Sequence, residues 1–339
     1  MKQAVELAIE ERNAAGGICG ARVSPQTADD RSNEKTGEEV ARQFCAQADL
    51  LGVVGHYSSD ISIAASEIYH KCGLAMIAPI ASNPALTDRG LANTFRFTNR
   101  DDSTGQAIAG YLYKELEKRR AVLVESQYAY GKSMSDAFTR AFLKIGGEVV
   151  ARRAVTVGER DFGPLVSALP KEFDVLFYGG AFEGAFLLKA MRESGLTQLF
   201  AAGDGCWDIT NFVEPAGDAA RKGEGVLVLA ATPEIGRVPG SREFSERYHA
   251  RYGPITNYAA NSYDSTCLLL EAIEYAAESK NALPSRNDVT AAIRTVHFQG
   301  IAYPGQIEWD AKGDNIAAVT ALYTVTDDRF RQIAEIRRW

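Results

Sequence analysis

The sequence alternates short apolar runs with helical periodicity along most of its length. Runs such as LLGVVG (50–55), LAMIAPI (74–80) and RAVLVES (120–126) have the length of buried strands, and longer amphipathic stretches separate them. Strands that alternate with helices form βαβ units, in which helices cover both faces of a parallel sheet. At 339 residues the chain is longer than one hydrophobic core usually supports, which is about 250–300 residues. The pattern therefore predicts an α/β fold with two doubly wound parallel-sheet lobes.

Both ends of the chain depart from this alternation. The first residues, MKQAVELAIEERNAAGG, have the periodicity of an amphipathic helix that ends at Gly16-Gly17, and lack the apolar core of a signal peptide. A doubly wound lobe ordinarily begins with a strand, so we expect the first strand of lobe 1 to be missing from this chain. Residues 305–336 have the pattern of antiparallel strands, with a turn at DAKGD (310–314).

The charge, hydropathy and cysteine content argue against several classes of function. A net charge of −7 disfavours nucleic acid as a partner. The sequence contains no run of about 18 consecutive apolar residues, which is the length needed to span a membrane. The five cysteines form no CxxC pair and the four histidines are isolated, so we expect no metal site and no cofactor. Cys45 and Cys72 lie near the ends of two predicted helices. A disulfide is one interpretation of this pair, and two buried thiols is the one that we favour.

Polar residues at strand ends are the main candidates for a site, because GxSxG, HExxH, P-loop and GxGxxG motifs are absent. Ser59 is predicted to cap a helix over 60–72, where its hydroxyl and the free amides of the first turn suit a carboxylate. Ser82 follows LAMIAPI, and Asp204 ends QLFAAGDG, where its carboxylate suits an ammonium group. Each of these residues taken alone is better explained as a cap or a turn. Together with aromatic residues at strand ends, which packing alone also explains, they suit a zwitterionic amino acid. These aromatic residues are Tyr130, Phe182 and Tyr258.

The stretch GVVGHYSSDISIAASEIYHKCGLAMIAPIASNPALTDRG (52–90) closely resembles the periplasmic leucine/isoleucine/valine-binding proteins, the type I solute-binding proteins of ABC transporters. The likeness continues through YAYGKSMSDAF (128–138), GERDFGPLVSALPKEFDVLFYGG (158–180), GDAARKGEGVLV (217–228) and IEWDAKGD (307–314). It covers essentially the whole chain. It implies that a signal peptide, a first strand and a glycine-containing loop precede the helix at residue 1, and that the protein is periplasmic.

The resemblance also implies the lobes and their connection. Lobe 1 is expected to contain residues 1–99 and 233–309, and lobe 2 residues 100–232 and 310–339, joined by a three-segment hinge.

The same resemblance assigns roles to individual residues. Ser59 matches a serine that binds the ligand carboxylate through hydroxyl and amide. Ser82 stands where the family often has a threonine that contacts the amino-acid head, and Asp204 matches an acid, often glutamate, that pairs with the ammonium. The whole expected ligand-binding set is Tyr57, Ser58, Ser59, Ile80, Ala81, Ser82, Tyr130, Phe182, Asp204, Gly205 and Tyr258.

This sequence departs from the family pattern at three places, one of which is that the aromatic residue often contributed by the first loop is absent. Tyr57 and Ser58 replace residues that include a disulfide cysteine in some members. Ala181 and Phe182 stand where tyrosines are common, which leaves the side-chain pocket open to several sizes. Phe182, Cys206 and Trp207 could build pockets of quite different sizes, so the sequence does not determine the side chain of the ligand.

We therefore expect the substrate-binding component of an ABC importer, a monomer that closes its hinge on a small amino acid without making or breaking a bond. A branched-chain aliphatic amino acid is the expected ligand, and a membrane permease is the expected partner. The alternative is a ligand-sensing domain of the same fold that binds another small carboxylate or amide. An enzyme is disfavoured because acid/base pairs are missing from the sequence.

Overall fold

The structure of the protein is a computed structural model, and residues 1–221 and 225–336 are described. It divides into two compact units. Unit 1 contains Met1–Asn99 and Ile235–Ala318, and unit 2 contains Arg100–Glu234 and Val319–Trp339. Residues 222–224 and 337–339, which the sequence assigned to lobe 2, lie outside the described residues.

The helices and strands are numbered in chain order. The helices are α1 (Lys2–Ala14), α2 (Glu34–Cys45), α3 (Ser59–Lys71), α4 (Ala85–Asp88), α5 (Asp101–Lys114), α6 (Ala129–Lys144), α7 (Gly163–Ser167), α8 (Gly184–Glu193), α9 (Glu214–Ala216), α10 (Asp218–Arg221), α11 (Ser241–Tyr252), α12 (Ala259–Lys280) and α13 (Arg286–Ile293). The strands are β1 (Gly52–Val54), β2 (Ala75–Ala78), β3 (Thr94–Arg96), β4 (Arg120–Ser126), β5 (Glu148–Val155), β6 (Val175–Gly179), β7 (Leu199–Ala202), β8 (Val226–Ala230), β9 (Thr320–Thr326) and β10 (Arg329–Ile336).

Unit 1 is built on a parallel sheet in the order β1-β2-β3. Apolar residues of α2 and α3, such as Ala41, Ala65 and Tyr69, pack with Met76 of β2 in one core. On β1, a Cβ at Gly52 would lie 2.6 Å from the Leu269 side chain, so the strand packs closely against α12. Since the strands are parallel, the loops that follow β1 and β2 lie at the same edge of the sheet.

Unit 2 is built on a seven-stranded sheet in the order β10-β9-β8-β7-β6-β4-β5. β4 to β8 run parallel, and β9 runs antiparallel to both β8 and β10. Alternate residues of one strand enter different cores, because successive side chains point to opposite faces. Leu123 packs with Phe138 and other residues of α5 and α6, whereas Val122 and Val124 pack with Leu188 and other residues of α8. The predicted α/β class with helix-covered parallel sheets is therefore confirmed.

The predicted lobe boundaries differ from the units at two of the three crossings. The second crossing lies between residues 234 and 235, and the third between 318 and 319. The assignment of 310–318 to lobe 2 is therefore wrong. This segment pairs with β3 of unit 1, because Arg96 N donates to Gly313 O (2.8 Å) and Asn315 N donates to Arg96 O (3.1 Å).

Three local predictions also differ from the structure or are refined by it. The pattern of FGPLVSALPKE (162–172) predicts a helix over the whole stretch, but α7 ends at Ser167, consistent with Pro170 disfavouring a helical residue before it. α3 begins at Ser59, so its N-cap is Ser58 and not Ser59. The antiparallel tail is present, with β9 joined to β10 through Asp327 and Asp328, both at positive φ as a tight hairpin requires.

The cysteines differ from the favoured interpretation. Cys45 and Cys72 form a disulfide with their Cα atoms 5.8 Å apart, so the prediction of two buried thiols is wrong. The bond joins the last residue of α2 to the residue after α3, across 27 positions of sequence. Cys19, Cys206 and Cys267 are free thiols. Within residues 1–221 and 225–336, no helix combines the length and the apolar character needed to cross a membrane.

Candidate functional site

In unit 1, the first candidate segment lies where β1 gives way to α3. Ser58 is the N-cap of α3, but its side chain makes no capping hydrogen bond, and its carbonyl accepts from Ser62 N at 3.0 Å. Ser59 is the first helical residue and is only 3% exposed. The amides of a first helical turn have no intrahelical acceptor, so hydroxyl and amide groups here suit an anion.

The second candidate segment of unit 1 follows β2. Ile80, Ala81 and Ser82 are all buried, and Asn83 N donates to Ser59 Oγ at 3.3 Å. The structure therefore brings the two serine-bearing loops together, as expected for the carboxyl ends of neighbouring parallel strands. Ser82 itself makes no hydrogen bond within the described part of the chain.

Tyr57 and Tyr258 are also brought together in unit 1. Their rings meet edge to face with centroids 6.0 Å apart, a favourable arrangement for aromatic pairs. Tyr258 precedes α12 with φ +62° and is buried, whereas Tyr57 is 54% exposed. The pair thus presents one exposed aromatic surface beside the first serine loop.

In unit 2, the candidate residues form a hydrogen-bonded group at the carboxyl ends of the strands. The Tyr130 hydroxyl donates to Asp204 Oδ1 at 2.7 Å and accepts from Gly205 N at 3.1 Å. Asp204 is 7% exposed. Gly205 is required for close packing, because a Cβ there would lie 2.5 Å from Gly180 O. The hydrogen bond from Tyr130 to Oδ1 thus orients the Asp204 carboxylate.

Phe182, Cys206 and Trp207, the three candidates for a side-chain pocket, differ in how far they are exposed. Phe182 is 40% exposed, but Cys206 is fully buried and its thiol donates to Ala181 O at 3.0 Å. Burial, together with the nearby Glu183 and Asp204 carboxylates, raises the pKa of the Cys206 thiol, which is therefore neutral. Trp207 packs on Tyr323 with ring centroids 5.5 Å apart. Only Phe182 of the three has a substantially exposed ring.

Sequence reasoning missed a buried group behind the first serine loop. His56 Nδ1 donates to Asp30 Oδ2 at 2.8 Å, and His56 Nε2 lies 3.2 Å from the Tyr69 hydroxyl. The hydrogen bond from His56 lowers the pKa of Asp30 below its usual value, and burial raises the pKa of Tyr69. Asp30 is therefore ionised at neutral pH and accepts from Nδ1, while Nε2 and the Tyr69 hydroxyl share the second hydrogen bond of the ring. The ring that precedes Tyr57 is thus held at both nitrogens.

Sequence reasoning missed Arg96 as well, because the stretch TFRFT (94–98), in which it lies, has the pattern of a short strand. Its guanidinium is fully buried and contacts the carbonyl groups on both sides of Ser82. The one available signal was a charged residue within an apolar run. Such a residue indicates a buried ion pair, because charged side chains are rarely buried unless they are paired.

The comparison with family models decides the family of this chain. Residues 1–329 match the model described as periplasmic binding protein. The chain belongs to the periplasmic binding protein family.

Individual relatives agree with this assignment. An "Amino acid binding protein" from Pseudomonas aeruginosa is 31% identical over 310 residues, which cover 91% of this chain and 80% of that protein. The substrate-binding protein LivJ of a branched-chain amino acid transporter from Streptococcus pneumoniae, solved with isoleucine, has a TM-score of 0.87 at 25% identity. The alignment covers 98% of this chain and 92% of LivJ. An ABC transporter substrate-binding protein from Desulfitobacterium hafniense, solved with Leu, has a TM-score of 0.82 at 28% identity. That alignment covers 98% of this chain and 95% of the Desulfitobacterium chain.

Each unit of this periplasmic binding protein thus holds its own group of candidate residues. Unit 1 contributes the two serine loops and the tyrosine pair, and unit 2 contributes Tyr130, Asp204 and Gly205 with Phe182 nearby. That these residues contact a ligand stays a prediction. Within the described residues, no group of three or more His, Cys, Asp or Glu side chains could hold a metal ion.

Proposed function

We propose that this periplasmic binding protein captures a branched-chain aliphatic amino acid for an ABC importer and delivers it to a membrane permease. The two units act as lobes joined by three crossovers, and they close on the ligand without covalent chemistry. The protein works as a monomer in the periplasm. The choice of ligand is supported by the relatives solved with isoleucine and with Leu.

The observation that carries the proposal is the carboxylate of Asp204, which Tyr130 holds in a fixed orientation. We propose that it pairs with the α-ammonium of the ligand. In unit 1, the Ser59 hydroxyl and the first-turn amides of α3 bind the ligand carboxylate, and Ser82 contacts the head group. Phe182 and the Tyr57–Tyr258 pair provide apolar surface for the aliphatic side chain.

A thermal-shift panel with ligand-free protein tests the proposal. Leucine, isoleucine and valine are expected to raise the melting temperature, since a ligand at a hundredfold excess over Kd stabilises the folded state by about 2.7 kcal/mol. Leucinamide lacks the carboxylate and 4-methylpentanoate lacks the ammonium, so both should fail to stabilise the protein. If no amino acid raises the melting temperature, the proposal is wrong. Stabilisation by 4-methylpentanoate but not by leucine would favour a sensor of small carboxylates.

Localisation and assembly are tested separately. Expression of the natural gene followed by osmotic shock should release the protein with the periplasmic fraction. Light scattering of the purified protein should give the mass of one chain, 36.8 kDa. A mass of two chains at micromolar concentration would contradict the monomer.

A further inference from the structure

Arg96, the last residue of β3, is a fully buried guanidinium with several partners in unit 1. Its Nε donates to Asp314 Oδ1 at 2.7 Å, and Nη2 donates to the Thr87 hydroxyl. Thr87 in turn donates to Asp314 Oδ1 at 2.8 Å. A buried charge is tolerated only when it is paired and hydrogen-bonded, so Asp314, itself buried, provides the countercharge.

The remaining nitrogen of Arg96 contacts the loop that carries Ser82. Nη1 donates to Asn83 O at 2.7 Å and to Ala81 O at 3.3 Å. These two carbonyls lie directly before and after Ser82 in the chain. On the other side of the loop, Asn83 N donates to Ser59 Oγ. One rigid, planar group therefore fixes the backbone on both sides of a residue that makes no hydrogen bond of its own within the described chain.

A lysine at position 96 could not reproduce this geometry. An ammonium is a compact group on a flexible stem, whereas the guanidinium presents five N–H donors in one plane. Lysine would retain the charge opposite Asp314 and lose at least part of the contact with Ala81 and Asn83. The arginine is therefore more than a structural countercharge.

We propose that Arg96 is a positioning residue for ligand binding, which sets the loop 81–83 so that Ser82 meets the amino-acid head. This inference rests on the proposed function. Arg96 does not contact the ligand, and Asp314 acts through Arg96.

A double-mutant cycle measured by calorimetry with leucine tests the inference. Ser82→Ala and Arg96→Lys should each raise Kd by about 10-fold, the order of one hydrogen bond to a charged group. If Arg96 acts through Ser82, the double variant should bind within about threefold of either single variant, because residues that act together are not additive. If Arg96 affects binding independently of Ser82, the two factors should multiply to about 100-fold. If Arg96 is merely structural, Arg96→Lys should lower the melting temperature and leave Kd at the parent value.

The other outcomes also decide the question. Arg89→Lys is the matched control, because Arg89 is a partly buried arginine of unit 1 that donates to the backbone of Ala85 and Ile63. Its effect should be small and should multiply with that of Ser82→Ala.

Should Arg96→Lys fail to fold, Asp314→Asn takes its place in the cycle with the same expected non-additivity. The inference is overturned if the two factors multiply, or if Ser82→Ala or folded Arg96→Lys binds leucine with the affinity of the parent. The proposed function still stands in these cases, because the parent binds leucine. Absence of leucine binding by the parent protein removes the proposed function itself.

Discussion

The two units hold their candidate ligand residues in different ways. In unit 1 the proposed contacts are neutral hydroxyl and amide groups, and charged residues such as Arg96 and Asp30 fix the loops that carry them. In unit 2 the proposed contact is itself a charge, Asp204, and a neutral tyrosine hydroxyl fixes it. A neutral recognition group thus depends on charges that need not contact the ligand. In unit 2, by contrast, a hydrogen bond from the Tyr130 hydroxyl orients the charged group itself.

The comparison predicts that the largest effect on binding comes from unit 2. If Asp204 pairs with the ammonium, Asp204→Ala leaves that charge without its partner, at a cost of about 2–5 kcal/mol, or roughly 30-fold to several thousand-fold in Kd. Calorimetry with leucine measures the loss. Asp136→Ala is the matched control, because it removes the same charge from an exposed site in unit 2, where Asp136 pairs with Arg152. Binding by Asp204→Ala within a few-fold of the parent would show that the ammonium assignment is wrong.

The second prediction concerns stability, and it separates the units by their cysteines. Replacing Cys45 and Cys72 by alanine should lower the stability of unit 1 by about 3–4 kcal/mol, the loop-entropy value for a closure of this length. Hydrogen exchange resolved by peptide should show faster exchange across α2 and α3, with little change in unit 2. The control is Cys19→Ala, which removes an exposed free thiol. Equal loss of protection in both units would mean that the disulfide does not act locally.

The third prediction tests the neutral contacts of unit 1. Ser59→Ala removes one hydrogen bond to a charged group, worth about 1.5–3 kcal/mol, so leucine should bind about 10- to 150-fold more weakly. Ser66→Ala changes a second buried serine of the same helix, whose hydroxyl donates to Ile63 O, and should leave Kd unchanged. Equal losses from the two variants would assign the effect to α3 in general and not to Ser59.

The smallest expected effect concerns the charge that supports the first serine loop. The hydrogen bond from His56 lowers the pKa of Asp30 below its ordinary value of 3.8. The resulting stabilisation is present above that value and disappears as pH falls through the lower folded-state pKa. The parent should therefore exceed Asp30→Asn in unfolding free energy at pH 6, by at most about 1 kcal/mol. Urea titrations from pH 6 down to pH 3 should show this difference shrinking. A difference that stays constant over this range would contradict the role of the charge.

The sequence predicts the proposed contacts better than the residues that support them. Ser59, Ser82 and Asp204 follow apolar runs, and parallel strands bring such positions to one edge of each sheet. Arg96 and Asp314 are 218 positions apart, and no local pattern indicates that they pair. The same holds for Asp30 and His56, which are 26 positions apart.

Two smaller errors have physical causes of the same kind. Ser58 and Ser59 are equally good capping residues, so sequence alone does not distinguish the N-cap from the first helical residue. The pairing of Cys45 with Cys72 depends on how α2 and α3 pack, and sequence spacing does not determine that packing. The α/β class needs no such long-range information, because it follows from the period of the apolar pattern.

The positions of the tryptophans give the protein an optical signal in each unit. Trp207 lies three residues after Asp204 and packs on Tyr323 of unit 2. Trp309 lies in unit 1, five residues before Asp314, with its ring on Phe95 and its Nε1 donating to Ile293 O. Indole emission responds to changes in its immediate surroundings. Two variants that each retain one of these tryptophans, with phenylalanine at the other and at Trp339, therefore give a label-free assay. Their emission would follow the response of unit 1 and that of unit 2 to a ligand separately, in real time.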